Sequence, residues 1–152
     1  MNKFMREAFK RADYTSNQNI GGPFGACIVK DGKVIAVASN TVLFDKDPTC
    51  HAEMNAIRLA CIVLDTYDLS GCELYTTGYP CPMCLSAIMW ANIKKVYYGT
   101  NLSDAEEIGF RDDFIYNFIK GNNSDALDLE ELDREQCLEL FKNYTNNKKV
   151  IY

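Results

Sequence analysis

The sequence has only one histidine and four prolines, and it contains no apolar run of the roughly 20 residues that a membrane-spanning helix requires. It also lacks an apolar signal segment among its first residues. Its seven cysteines are an odd number, so they cannot all pair in disulfides. These absences disfavour a membrane protein and a secreted disulfide scaffold, and we expect a cytoplasmic protein with no membrane partner.

Positive charge is also scarce. The chain has 16 Lys and Arg against 21 Asp and Glu, which gives a net charge of -5. Proteins that hold nucleic acid mainly through its phosphates need a basic surface. The segment over residues 125–135 is instead strongly acidic. We therefore do not expect nucleic acid as a partner.

Helical and strand-like patterns alternate along the chain, whose 152 residues suit a single domain. Helices are predicted over residues 3–14, 50–64 with Thr49 as the cap, 80–91 and 129–143. Strands are predicted over residues 25–30 and 34–37, joined by an Asp-Gly turn, and over 72–76 and 96–99. The pattern of residues 101–123 gives no clear assignment. This alternation predicts an α/β layer sandwich.

Two short motifs carry the residues with metal and acid–base chemistry. His51 and Glu53 lie in a His-Ala-Glu triplet, and Cys81 and Cys84 lie in a Pro-Cys-Pro-Met-Cys stretch. Each motif begins a predicted helix, and a helix N-terminus lowers the pKa of a thiol. The two thiolates and the imidazole make three protein ligands, which is typical of catalytic zinc with one open position, whereas structural zinc normally has four ligands.

Glu53 is the expected proton carrier beside this metal. Zinc lowers the pKa of a bound water towards neutrality, and a nearby carboxylate can take the proton and pass it to a leaving amine. This combination is typical of zinc enzymes that hydrolyse amino-substituted heterocycles, whose H-x-E and P-C-x-x-C signature is an established one. A lone Cys-x-x-Cys pair would suit a redox or structural zinc site, but its combination with the only histidine favours catalysis.

Several segments together resemble the cytidine deaminase superfamily, and within it the guanine deaminases. The resemblance lies in residues 21–26, 47–53 and 80–91, and most distinctively in Gly-Phe-Arg-Asp-Asp-Phe-Ile-Tyr at 109–116. It implies a three-layer sandwich with a central mixed sheet flanked by helices, formed by residues 1–152 as one domain. It also implies Zn²⁺ as the cofactor, a small-molecule nucleobase as the substrate and a homodimer.

The resemblance also implies which side chains meet the base. Asn40 would hydrogen-bond the purine, Phe24 would pack beside it, and Ala52 would line its site. Asp112 would read the base or assist proton transfer. The tail over about 144–152 would be exchanged between subunits, so that Tyr152 closes the site of the neighbour. Guanine carries a 2-amino donor and a ring N–H, so a carboxylate acceptor favours it over adenine.

Simpler structural roles are open for some of these residues. Phe24 could serve only as core packing, Asn40 could only shape a turn, and Asp112 could only cap a helix. Two positions depart from the pattern of the resembling enzymes: Tyr79 stands where they carry a glutamate, and Arg111 stands where they carry an aspartate. Substrate identity is thus less closely defined than reaction class.

Three functions are compatible with these residues. The first is zinc-dependent hydrolysis of guanine, or of a closely related amino-purine, to the oxo compound and ammonia. The second is the same chemistry on cytosine or another aminated heterocycle, or on adenosine in tRNA. The third is a zinc-stabilised binding module without activity. The presence of Glu53 favours an enzyme, because an inactive relative would not need a proton carrier.

Overall fold

The computed structural model describes residues 1–122, 124–147 and 150–152. Its internal contacts divide the chain into two compact units, Met1–Tyr116 and Asn117–Tyr152. Within the described residues, every helix is too short or too polar to span a bilayer.

A four-stranded mixed sheet forms the centre of the first unit. Its strands are β1 (Gly25–Lys30), β2 (Lys33–Ser39), β3 (Cys72–Gly78) and β4 (Lys95–Thr100), in the order β2-β1-β3-β4. β1 pairs antiparallel with β2 and β3, whereas β3 and β4 are parallel. The predicted hairpin is confirmed, because Asp31 and Gly32 both take the positive φ angles that a tight turn between twisted strands requires.

One face of the sheet is covered by α1 (Lys3–Asn17). Ala8 of this helix is fully buried and packs with Cys27 and Val29, which alternate with the residues on the other face of β1. Gly25 permits this close approach, since a Cβ atom at that position would overlap the carbonyl oxygen of Ala8. The helix is longer than the predicted 3–14 because its C-terminal turn also buries Thr15.

The opposite face is covered by α3 (Ala52–Leu64) and α4 (Pro82–Trp90). The larger of the two core clusters joins small residues of α3 to Ile28 and Leu74 of the sheet and to Ile88 of α4. Helices on both faces make the predicted three-layer α/β sandwich, and the mixed sheet is confirmed as well.

The start of α3 differs from the prediction. Thr49 is not its cap; the residue at the N-cap position is His51, and the helix begins at Ala52. Thr49 instead donates its backbone N–H and its hydroxyl to Asp47 Oδ1, at 2.7 and 2.8 Å. This local turn satisfies Thr49 two residues before the helix begins.

The segment without a sequence-based assignment contains two helices, α5 (Leu102–Glu107) and α6 (Asp113–Ile119), and a short helix, α2 (Val42–Asp45), precedes α3. A capping box between Asn101 and Asp104 begins α5. Such brief helices escape detection by periodicity because they hold fewer than two full turns.

The second unit contains a 3₁₀ turn at Ser124–Ala126 and α7 (Arg134–Asn146). The predicted start at residue 129 was wrong, since Asp133 takes a positive φ of 53° and helical geometry begins only after it. None of the described residues from 117 onward is buried in this chain. The Tyr144 hydroxyl donates to the carbonyl of Val150, which ties the final residues to α7.

Candidate metal centre and active-site cavity

His51 and Cys81 occupy equivalent positions at the starts of two helices. Each is an N-cap residue with extended backbone, at φ -70° and ψ 158° for His51 and φ -66° and ψ 169° for Cys81. Neither side chain makes the usual capping hydrogen bond. Pro82 follows as the first residue of α4, where its fixed φ suits a helix start. Both side chains are therefore available to bind a metal.

The donor atoms of three residues match the geometry of zinc. His51 Nδ1 lies 3.5 Å from Cys81 Sγ and 3.6 Å from Cys84 Sγ, and all three donor atoms lie within 4.8 Å of one another. Tetrahedral zinc with ordinary Zn–S and Zn–N bonds separates a nitrogen from a sulfur ligand by about 3.6 Å. The three residues therefore fit a zinc ion with three protein ligands.

The pKa values of these three side chains are shifted in different directions. A hydrogen bond from Cys84 lowers the pKa of the Cys81 thiol to about 4, with help from His51. The bond to Cys81 raises the pKa of the His51 imidazole, and donation to Cys81 together with burial raises that of Cys84. Of the two cysteines, Cys81 therefore loses its proton more readily, which suits a metal ligand.

Glu53 lies in the first turn of α3, beside the trio. Its side chain is almost wholly buried, with 6% of the residue exposed, and burial raises the pKa of its carboxyl group. Cys84 Sγ lies 3.5 Å from Oε2, and the Thr76 hydroxyl lies 3.1 Å from Oε1. The same hydroxyl lies 3.1 Å from the Gly78 carbonyl, so it can donate to either oxygen. Glu53 is thereby held in place whether or not it carries a proton.

A cavity of about 420 Å³ opens in front of these residues, a size in the range of small-molecule sites. It brings together six of the residues expected from the sequence, namely Phe24, Asn40, His51, Glu53, Cys81 and Asp112. Cys84 does not line the cavity, but it contacts His51 and Glu53, which do. The lining also includes residues that were not assigned a role from the sequence: Gly21, Gly22, Val42, Leu43, Pro48, Tyr79, Ala105 and Phe110.

Asn40 is buried, and its amide has a defined direction. Its Oδ1 accepts hydrogen bonds from the backbone N–H groups of Gly22 and Val42, both at 3.2 Å. Gly21 permits this arrangement, because a Cβ atom there would overlap oxygens of Asn40. The amide therefore shapes a turn, as one of the interpretations held, and its NH₂ group remains the part that can meet a ligand.

An aromatic wall stands beside the amide. Phe24 and Phe110 pack edge to face with ring centroids 4.9 Å apart, and both rings line the cavity. Phe110 was missed as a site residue because it lies 86 positions after Phe24, and only folding shows that the two rings meet. Its position in the distinctive 109–116 segment was the one sequence feature that could have indicated a role in the site. Phe24 thus lines the cavity and also packs against the larger core cluster.

The side chains of Asp112 and Arg111 have different surroundings. Arg111 forms a two-pronged ion pair with Asp113, at 3.2 Å through Nε and 2.9 Å through Nη2, and lies 3.9 Å from Glu106. Asp112 lines the cavity, where burial raises the pKa of its carboxyl group. Arg111, which stands where the guanine deaminases carry an aspartate, therefore pairs with Asp113. Asp112 remains facing the cavity.

Ala52, Tyr79 and Tyr152, the other positions considered in the sequence, have different surroundings from one another. Ala52 is fully buried in the core cluster at the start of α3 and is not among the residues that line the cavity. Tyr79 lines the cavity and packs edge to face on Tyr98 at 5.0 Å. Tyr152 belongs to the second unit and is largely exposed.

Comparison with known proteins defines the class to which this site belongs. Residues 1–100 match the family model of the cytidine and deoxycytidylate deaminase zinc-binding region. The chain belongs to this family, and it is a zinc-dependent hydrolase of the α/β deaminase fold.

Within the family, the chain is similar to a guanine deaminase of Bacillus subtilis strain 168. The two are 53% identical over 116 residues, which cover 76% of this chain and 74% of that protein. An X-ray structure of guanine deaminase from Bacillus subtilis matches with a TM-score of 0.92 and 44% identity over the full length of both chains. A tRNA-specific adenosine deaminase of Aquifex aeolicus is 53% identical over 76 residues, which cover half of each chain.

Proposed function

We propose that this protein hydrolyses guanine, or a closely related amino-purine, to the oxo-purine and ammonia with one bound Zn²⁺. The observation that carries the proposal is the zinc-like spacing of His51, Cys81 and Cys84 at a cavity that also holds a buried carboxylate, Glu53. The full-length similarity to a guanine deaminase supports the choice of base.

The chemistry divides between the metal and one side chain. A zinc ion held by His51, Cys81 and Cys84 would supply the Lewis acidity that makes water nucleophilic near neutral pH. Glu53 takes one proton of the attacking water and carries it to the ring nitrogen. It then takes the remaining proton from the hydroxyl group added to the ring carbon and delivers it to the amine, which leaves as ammonia. The raised pKa of this carboxyl suits both acceptance and release, and Thr76 holds the side chain throughout.

The cavity offers complementary groups to the base. The oxygen of the Asn40 amide is occupied by two backbone donors, so its NH₂ group donates to an acceptor atom of the purine. Asp112 accepts from the N–H groups of guanine, which adenine does not present in the same pattern. Phe24 and Phe110 provide an apolar wall for the flat ring.

Ammonia release by the purified zinc-loaded protein tests this proposal. Guanine, adenine, guanosine and cytosine are compared side by side at equal concentrations. We expect guanine to have the highest kcat/KM of the four. Inertness of guanine beside turnover of another base would overturn the substrate assignment, and inertness of all four would overturn the purine or pyrimidine assignment as a whole.

Editing of adenosine in tRNA is the second candidate, because the tRNA-specific adenosine deaminase match includes half of this chain. The net charge of -5 counts against it, since RNA held through its backbone needs basic surface. An anticodon stem-loop with adenosine at the wobble position should therefore remain unedited under conditions in which guanine is consumed.

The assembly is also a proposal. We infer a homodimer of single deaminase domains in the cytoplasm, with the tail over about 144–152 exchanged so that Tyr152 closes the partner's cavity. The apolar side chains of the second unit support this, because most of their surface is exposed in their own chain; they include Leu129, Leu132, Leu140, Phe141 and Ile151. Light scattering should give twice the chain mass.

Mixed dimers test the tail exchange. A Glu53→Gln chain lacks its proton carrier, and a chain ending at residue 143 lacks the tail; each alone should be inactive. Co-expression should restore activity, because the intact tail of the first chain closes the intact site of the second. A mixture as inactive as its components would contradict the exchange.

A further inference from the structure

Two chain segments flank the cavity, and each carries a residue of the proposed site. Residues 39–41 carry Asn40, and residues 50 and 51 carry the zinc ligand His51 at their end. One backbone hydrogen bond joins the segments directly, from Thr41 N–H to the Cys50 carbonyl at 3.0 Å. Asn40 itself is held by its backbone bond to Phe24 and its amide bonds to Gly22 and Val42, so the groups that join the two segments set its distance from His51.

Asn55 provides this reinforcement from the second turn of α3. Its Nδ2 group lies 3.0 Å from the Ser39 carbonyl, 2.9 Å from Thr41 Oγ1 and 3.4 Å from the Cys50 carbonyl. The NH₂ group has two protons, so its main hydrogen bonds go to Ser39 and Thr41, and the longer contact with the Cys50 carbonyl shares one of these protons. The Asn55 side chain therefore binds the residues on either side of Asn40, and its backbone N–H donates to the His51 carbonyl at 3.0 Å, so Asn55 joins both segments.

Neighbouring groups fix the orientation of this amide. Arg58 Nη1 donates to Asn55 Oδ1 at 3.3 Å, which turns the NH₂ group towards the two segments. The Thr41 hydroxyl donates to Asp45 Oδ2, so its lone pairs remain for Asn55. A carboxylate in place of the amide would face two carbonyl oxygens with no proton to offer.

We propose that Asn55 is a positioning residue that sets the separation between the base-binding amide of Asn40 and the zinc ligand His51. The inference rests on the proposed function, because it gives the Asn40 amide a substrate contact. Misplacement of a binding group by about 1 Å can reduce a rate by about 100-fold. Loss of the Asn55 contacts should therefore weaken catalysis without removing a ligand or the proton carrier.

The first experiment compares Asn55→Asp with a matched control. Asn17→Asp makes the same change on the surface of α1, where the amide donates to Asp13. We expect Asn55→Asp to lower kcat/KM by about 10- to 100-fold with a raised KM and full zinc content. The control should stay within about twofold of wild type. Partial unfolding would instead lower kcat and leave KM unchanged. Asn55→Ser keeps a hydrogen-bond donor, so its loss of kcat/KM should be smaller than that of Asn55→Asp.

A double-mutant cycle with Asn40→Ala separates positioning from general destabilisation. If Asn55 acts through Asn40, adding Asn55→Asp to Asn40→Ala should reduce kcat/KM by no more than about threefold further. Multiplication of the two single losses would overturn the inference, as would an Asn55→Asp enzyme equal to the control.

The failure of the inference can be told apart from failure of the proposed function. If the wild-type enzyme hydrolyses a base other than guanine, the proposed function fails, and the cycle is run with that base. Amide hydrogen exchange gives a readout independent of turnover: Thr41 N–H should exchange faster in Asn55→Asp than in the control. Unchanged protection of Thr41 would overturn the assigned role.

Discussion

The two units of the chain differ in how far they bury their apolar side chains. Met1–Tyr116 buries them between a sheet and helices on both faces, and every described residue that lines the cavity belongs to this unit. In Asn117–Tyr152 no described residue is buried, although α7 carries Leu140 and Phe141. Single changes in the first unit should therefore have the larger effects on stability and chemistry, whereas changes in the second unit outside the tail should act mainly through the assembly.

The largest difference is expected for activity. Glu53→Gln keeps the size of the side chain but removes its capacity to carry a proton. Turnover should fall by about 10²- to 10⁴-fold while zinc content measured by atomic absorption stays near one per chain. Glu130→Gln, the same change in the exposed second unit, should keep wild-type turnover. Substantial activity in Glu53→Gln would show that another group moves the proton.

A smaller but clear difference is expected for stability. Leu74 is fully buried in the centre of β3, so Leu74→Ala should lower the free energy of unfolding by about 2–5 kcal/mol. Leu140 is 69% exposed, and Leu140→Ala should change it by no more than about 0.5 kcal/mol in dilute protein.

Denaturant titration at several protein concentrations extends this comparison to the assembly. If a second copy covers α7, the effect of Leu140→Ala should grow as concentration rises, because association adds to the apparent stability. A cost equal to that of Leu74→Ala at the lowest concentration would show that Leu140 contributes to the core of its own chain.

The smallest expected effect concerns thiol reactivity. Cys27 is fully buried in β1, and burial raises the pKa of its thiol to about 11. Cys137 lies exposed in α7. Iodoacetamide at pH 8 should therefore label Cys137 and spare Cys27, as measured by peptide mass spectrometry. Rapid labelling of Cys27 in the native enzyme would contradict its burial.

The sequence predicted those features that depend on local pattern. The hairpin turn, the alternation of strands and helices, and the zinc-binding trio all follow from residues close together in the chain or from a known signature. The start of α7 did not follow, since the positive φ of Asp133 has no strong signal in an acidic stretch.

Contacts across long stretches of sequence were also beyond pattern-based prediction. Asn40 was expected at the base, yet its oxygen is held by Gly22 from 18 residues away. Phe110 joins Phe24 only after the whole first unit has folded. Ala52 shows the opposite case, a residue carried over by resemblance that the structure buries in the core cluster.

The position of His51 and Cys81 at two helix starts has a consequence for how the enzyme matures. The two residues are 30 positions apart, and each has an extended conformation at the start of its own helix. A zinc ion bound by both residues needs both helix starts for its full set of protein ligands. Tight zinc binding should therefore be coupled to the formation of both helix starts, and loss of either should weaken it.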